Sequence, residues 1–240
     1  MSTPEPSIAP STSDRPPDQP STGQVAEPEA YRSQAGRYER RTDAFRRWRE
    51  LVVEQLPARP GDAVLDVGCG TGLCLPLLQH KVGPSGTIIG IDASAQMLEV
   101  ADTRVTEHGW DNVHLLATPV AQAPIHLIAD AALFCAVHDV LQSAAALDNV
   151  LGSVRAGGGV AAAGGKWAPP WAMAVNAGVL ALHAPYVRSF AGFGRPWALL
   201  ADRVPALRVR DVALGGGAAY LATGHAPGPR DTTLQSDTQQ

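Results

Sequence analysis

The stretch Val64-Leu65-Asp66-Val67-Gly68-Cys69-Gly70-Thr71-Gly72 constrains this chain more than any other. Ala63 to Val67 is a nearly continuous apolar run, broken by Asp66, as expected of a parallel strand buried on both faces. Three glycines at alternate positions follow, so the backbone turns sharply and a ligand can lie against the main chain with no Cβ in the way. A helical segment comes next, and its first amides face whatever occupies the turn. The pattern is a nucleotide-type cradle. It is not a phosphate loop, because no Lys-Ser/Thr pair follows the glycines. It also departs from the dinucleotide fingerprint: the third glycine falls one residue early, and Leu73 stands where that fingerprint would place it. Asp66, two residues before the first glycine, favours a zwitterionic or cationic ligand over a pyrophosphate.

A second pattern lies downstream. Thr87-Ile88-Ile89-Gly90-Ile91 reads as the next strand, and Asp92 ends it, 24 residues after Gly68. An acid at such a strand end accepts both hydroxyls of a ribose. Ser94 has the chemistry of an N-cap for the helix opening at Ala95-Gln96-Met97-Leu98. The string D-x-G-x-G-x-G resembles motif I of the class I S-adenosylmethionine-dependent methyltransferases. Asp92-x-Ser94-x-x-Met97-Leu98 is similar to the second motif of that family.

The resemblance covers about residues 30–225. It implies an α/β, doubly wound, seven-stranded and mostly parallel sheet of the Rossmann-like methyltransferase fold, its last strand antiparallel. It also implies S-adenosyl-L-methionine as cofactor. The residues placed around that donor are Asp66, Gly68, Cys69, Gly70 and Gly72 in the loop and Asp92, Ala93 and Met97 in the second motif. Thr118, Pro119 and Val120 follow the third strand, Asn112 to Leu116, and Cys135 ends the fourth, Ala129 to Cys135. The family often carries an acid after the third strand for the adenine amino group. Here Ala117-Thr118-Pro119-Val120 has none, which leaves backbone groups or Thr118.

Tyr38 belongs to a stretch, Ala30 to Leu56, whose Tyr31, Tyr38, Phe45, Trp48, Leu51, Val52 and Leu56 form an apolar stripe opposite several arginines. Two readings stand: an amphipathic helix with a solvated basic face, or a cover over the donor with Tyr38 near its methionine end. His138, just beyond the fourth strand, is the candidate proton acceptor because imidazole titrates near neutral pH. The competing reading is a locally packed His138. A triple glycine at Gly157-Gly158-Gly159 is expected to turn the chain into a fifth strand at Val160 to Gly164. Residues 166–202 then gather Trp167, Trp171, Tyr186, Phe190, Phe193 and Trp197. The resemblance implies an acceptor pocket here, with Trp167, Trp171, Phe193 and Trp197 as its lining; a hydrophobic cover is the alternative.

The domain organisation expected is a disordered tail over residues 1–28, a methyltransferase domain over 29–225 and a second disordered tail over 226–240. Residues 1–28 are rich in Pro, Ser, Thr and Glu and lack the charged start and apolar centre of a secretion signal. Net charge is -4, so no basic field argues for nucleic acid. No apolar run approaches the ~20 residues that cross a bilayer. The three cysteines, Cys69, Cys74 and Cys135, make neither a disulfide framework nor a zinc pattern, and a cytoplasmic protein is expected. No metal site is expected. The function that follows is methyl transfer to a small, partly hydrophobic acceptor at N, O or C. A nucleic-acid or protein methyltransferase, and a donor-binding protein without catalysis, are the alternatives.

Overall fold

The computed structural model describes residues 46–185, 187–212 and 218–227. Tyr38 with the rest of the stretch before Arg46, residues 228–240, Tyr186 and the Gly215-Gly216-Gly217 turn lie outside the described residues. The described elements are α1 (Arg46–Gln55), β1 (Ala63–Val67), α2 (Leu75–Val82), β2 (Thr87–Asp92), α3 (Ala95–His108), β3 (Val113–Ala117) and β4 (Ala129–Cys135). After them come α4 (His138–Leu141), α5 (Ala144–Gly152), β5 (Val154–Gly165), α6 (Met173–His183), α7 (Ala198–Ala201), β6 (Arg208–Val212) and β7 (Ala219–His225).

The strands form one seven-stranded sheet in the order β3-β2-β1-β4-β5-β7-β6. The pairs β1–β2, β2–β3, β1–β4 and β4–β5 are parallel, while β7 runs antiparallel to both β5 and β6. The doubly wound fold expected from the sequence is therefore the fold observed. The winding direction reverses between β1 and β4, and a crevice opens there at the carboxyl ends of the strands.

Alternate strand residues feed two cores, as the pleat requires. Val64, Ile88, Val113, Leu133, Ala161, Ala163 and Leu221 pack under α1, α2 and α3 with Trp48, Val52, Leu75, Leu78 and Leu98. Leu65, Val67, Ile91, Phe134, Val160 and Tyr220 pack on the opposite face with Leu147, Val150 and Leu200. The Ser94 hydroxyl accepts the Met97 N–H, the cap expected from the sequence, and the Ser143 hydroxyl likewise accepts the Ala146 N–H. Pro76 is harmless in the first turn of α2, where backbone N–H groups lack helical partners anyway.

The glycine-rich turn before the fifth strand is replaced by a longer strand. β5 begins at Val154, opposite Ala129, and its register then shifts so that Gly159 faces Ala131. The intervening Arg155, Ala156 and Gly157 bulge into solvent, held by Arg155 Nε donating to Asp130 at 2.7 Å. Gly157 N–H donates to the Ala226 carbonyl and Ala226 N–H to the Gly158 carbonyl, so this stretch keeps ladder partners despite its glycines.

Gly159 lies under the chain between α1 and β1: a Cβ there would sit 2.5 Å from the Pro57 carbonyl oxygen and 3.0 Å from Pro57 Cδ. Gly159→Ala should destabilise the fold by roughly 1–3 kcal/mol through overpacking against backbone, read by urea denaturation. Gly152→Ala, whose added carbon meets nothing within 4 Å, is the control and should leave stability unchanged or raise it.

Candidate functional site

The crevice is built from three turns. In the first, Gly68, Gly70 and Gly72 have φ of 67°, 55° and 75°, a left-handed backbone that side-chain-bearing residues resist. The Gly68 and Cys69 N–H groups both donate to the Ile91 carbonyl, at 2.7 and 3.1 Å, which ties the loop to the end of β2. A Cβ on Gly68 would meet Val137 Cγ1 at 2.5 Å, and Gly90 leaves room for the Cys69 thiol.

The second turn follows β2. One Asp92 carboxylate oxygen accepts the Gly70 N–H at 2.9 Å and the other accepts the Ser94 N–H at 2.8 Å. An ionised carboxylate offers about four lone-pair sites, so two remain for hydroxyls of a ligand. The third turn follows β4, where Ala136 has φ of 58°, an uncommon conformation for a residue with a side chain. Strain of this kind gathers at functional sites. It throws Val137 over the glycine loop and starts α4 with His138 facing the crevice.

These turns line a cavity of about 130 Å³ that opens to solvent. Asp66, Gly68, Cys69, Gly70 and Cys135, expected from the sequence, line it. Asp92 and Thr118 are not among the lining residues: Asp92 stands behind the loop as acceptor of the Gly70 N–H, and Thr118 donates its backbone N–H to the Asp92 carbonyl at 3.0 Å. Ala93, Met97, Pro119 and Val120 are not among the residues lining the cavity, and neither is Gly72, whose added Cβ would meet Leu75 and Ala101.

The acceptor wall differs from the aromatic set picked from the sequence. Phe193 lines the cavity, but Trp171 is 82% exposed outside it, Trp197 leans on Tyr220 in the core, and Trp167 sits behind, stacked on Phe190 and edge-on to Phe193. The reason is chain direction. Pro169 and Pro170 carry residue 171 away from the sheet, whereas Gly192, with φ of 73°, turns Phe193 inward. The wall is completed by Trp48, His183, Val187 and Tyr220, none named in the sequence reading as lining it. Trp48 and His183 stack with ring centroids 6.4 Å apart across 135 residues of chain, a pairing no local pattern reveals.

Four groups define the electrostatics. Asp66 is fully buried, and its Oδ2 has no hydrogen-bond partner among the described residues. Burial, with the nearby Asp92 adding, pushes its carboxyl up to about 7. An ammonium N–H is the partner such an oxygen lacks, so the site fits the amino-acid end of S-adenosylmethionine. Burial also holds the Cys69 thiol protonated, and a hydrogen bond with Cys135 together with burial does the same for Cys74. These thiols are wall, not nucleophiles. His183 is held below the usual imidazole range by burial, against the Val179 carbonyl that its Nδ1 meets at 2.9 Å, and His138 adds a smaller push.

His138 is buried edge-on to Phe193, ring centroids 4.9 Å apart. Its Nε2 lies 3.0 Å from the Ala191 carbonyl. A carbonyl only accepts, so Nε2 carries a proton, and in the neutral ring the lone pair is on Nδ1. Nδ1 has no partner among the described residues.

Residues 58–164 match the family model described as a methyltransferase domain. An uncharacterized 37.1 kDa protein in transposon TN4556 of Streptomyces fradiae is 40% identical over 117 residues, 48% of this chain and 32% of its own length. The demethylmenaquinone methyltransferase of Geobacillus kaustophilus is 38% identical over 84 residues, 34% of this chain and 36% of its own. The chain thus spans about a third of the length of these curated relatives. Among solved structures, a SAM-dependent methyltransferase from Aquifex aeolicus superposes with a TM-score of 0.57 at 21% identity, over 83% of this chain and 98% of that one, a likeness of fold.

The Asp66 carboxyl has a definite pH signature. Its folded value lies above the ordinary 3.8, so its contribution to stability is fully present below about pH 4 and lost as pH rises through about 7. Asp66→Asn should therefore gain stability relative to the parent chain as pH rises from about 4 to about 7, and keep that advantage above, measured by denaturant unfolding. A ligand ammonium binds the ionised carboxylate, so donor affinity of the parent should climb between about pH 6 and pH 8, with the Asn variant flat by calorimetric titration.

Proposed function

We propose that this chain, whose residues 58–164 match a methyltransferase domain, is a class I S-adenosylmethionine-dependent methyltransferase that transfers the donor's methyl group to a small, partly hydrophobic acceptor. When bound, the donor supplies an electrophilic sulfonium methyl. The observation that carries the reading is convergence. The glycine loop with Asp66, braced from behind by Asp92, opens into the same cavity as the apolar faces of Trp48, Val187, Phe193 and Tyr220.

The chain's residues divide the work. Asp92 takes the ribose hydroxyls while holding the Gly70 N–H, and Asp66 takes the ammonium. Thr118 or nearby backbone receives the adenine edge. Cys135 and Val137 close the cavity beside the reacting methyl, and Phe193 gives the acceptor a flat apolar face. Methyl transfer asks little covalent help of a protein; orientation and exclusion of water supply most of the rate. If the acceptor atom is a hydroxyl, His138 Nδ1 would take the proton it loses on methylation. An amine acceptor attacks through its own lone pair and makes no such demand.

An apolar cavity favours a flat or lipid-like molecule, and the name of the demethylmenaquinone methyltransferase relative points the same way. It disfavours the nucleic-acid and protein alternatives. The free thiols Cys69, Cys74 and Cys135 suit a reducing compartment.

Donor titration followed by methyl transfer to a panel of quinols, phenols and amines tests the reading. Donor binding without transfer to any acceptor class would leave a binding protein, and transfer confined to RNA, DNA or protein would overturn the acceptor assignment. Asp92→Asn should weaken the donor by roughly 1.5–3 kcal/mol, because an amide nitrogen cannot accept the Gly70 N–H. His138→Gln should lower kcat for hydroxyl acceptors by about 10²-fold or more and leave amine acceptors and donor affinity nearly unchanged. Phe193→Ala should raise the acceptor's KM without moving donor affinity.

A further inference from the structure

The segment between β5 and β6 does more than wall the cavity. Its helix α6, MAVNAGVLALH, has no charged side chain before His183, yet only Val179 and His183 of it are buried. Trp171 is 82% exposed and Met173 77%, with Leu180 and Leu182 exposed on the same helix. A helix apolar on every side belongs in an apolar environment, and exposed apolar surface of this kind marks an interaction site.

Charge identifies the partner. Residues 166–201 contain Lys166, Arg188 and Arg195 and no Asp or Glu, within a chain of net charge -4 that carries 23 acids. Lys166 is spoken for by Asp211 at 3.3 Å. Arg188 and Arg195 are exposed and form no ion pair among the described residues, although the Asp139 carboxylate accepts the Arg188 backbone N–H at 3.2 Å. Exposed Trp and aliphatic side chains flanked by unopposed arginines are the chemistry of a protein lying on an anionic bilayer. The patch also borders the cavity. Trp167 stacks on Phe190, two residues from Arg188, while His183, Val187 and Phe193 face inward.

We propose that α6 with Trp171, Met173, Arg188 and Arg195 docks this protein peripherally on an anionic phospholipid surface, placing the cavity mouth where a lipophilic acceptor leaves the bilayer. The docking rests on this surface alone; the delivery of acceptor rests on the function proposed above.

Flotation of the full chain with vesicles of phosphatidylcholine, and of phosphatidylcholine with about 30 mol% phosphatidylglycerol, tests it. The expected result is at least about tenfold greater recovery on the anionic vesicles, declining at high salt because surface charges are screened. Trp171→Ser with Met173→Ser should abolish recovery on both vesicles, and Arg188→Gln with Arg195→Gln should erase the preference for phosphatidylglycerol. Donor affinity and the unfolding midpoint show that both double variants remain folded and competent. Failure of the parent chain to float, or flotation unchanged in the Ser variant, overturns the proposal. So does a concentration-dependent dimer by sedimentation that Trp171→Ser dissolves and vesicles do not compete with, which would assign the patch to a second copy. Methyl transfer to a water-soluble acceptor without vesicles is measured in parallel: its absence counts against the proposed function and not against docking.

Discussion

The bond from the Gly70 N–H to the Asp92 carboxylate organises the crevice. It joins the loop after β1 to the end of β2, and the same carboxylate turns the chain into α3 through Ser94. Two further bonds, from Gly68 and Cys69 to the Ile91 carbonyl, fasten the loop from behind. A loop with three residues in left-handed backbone is costly to hold by contacts of its own, so its shape is imposed by β2. That is why one carboxylate can hold the loop in place and still accept from a ligand: it uses two of its lone-pair directions internally and keeps the others. The site is preorganised because the sheet is, and the sheet is fixed by apolar strand residues far from any ligand.

Much of this was legible in the residues. β1, β2 and β4 read as apolar runs because both faces of a central parallel strand are buried, and Val64, Leu65 and Val67 are indeed sealed on both sides, whereas β3, at the sheet edge, is half exposed. The glycine loop was legible because its spacing has few backbone solutions, and Asp66 because an acid inside an apolar run demands an account. The start of β5 was not. Gly157-Gly158-Gly159 spells a turn locally, but Ala226 and Asp130, distant in sequence, supply ladder and ion-pair partners that hold the stretch in the sheet.

The cavity wall shows the limit in sharper form. Composition identified an aromatic segment but not which ring turns inward, since that depends on the direction in which Pro169-Pro170 and Gly192 send the chain. Phe193 ends up 1% exposed and Trp171 82%, though both are large aromatic residues of one segment. Trp48 entered the sequence reading as part of an amphipathic stripe and emerges as a cavity wall, because its partner His183 arrives from 135 residues further along the chain. The histidine in turn fits only because Gly165, at the end of β5, has no side chain to meet its ring. The small residues of β5 thus serve two surfaces: Ala161 and Ala163 let α1 sit close on the sheet, and Gly165 admits His183 to the cavity.

The buried Asp66 carboxyl shows what the fold gives up for this site. A carboxylate sealed from water without a hydrogen-bond partner is destabilising on its own, and Asp92 nearby makes ionisation harder still. Asparagine would fill nearly the same space without a charge. A cationic group beside it, as in the donor binding proposed above, would give the acid its physical reason. On binding, that cation would lower the carboxyl's proton affinity and turn an unfavourable buried group into a charge-assisted contact. Stability and recognition therefore pull against each other at one atom, Oδ2 of Asp66, and the apolar packing of β1 under both cores is what lets the fold tolerate the conflict.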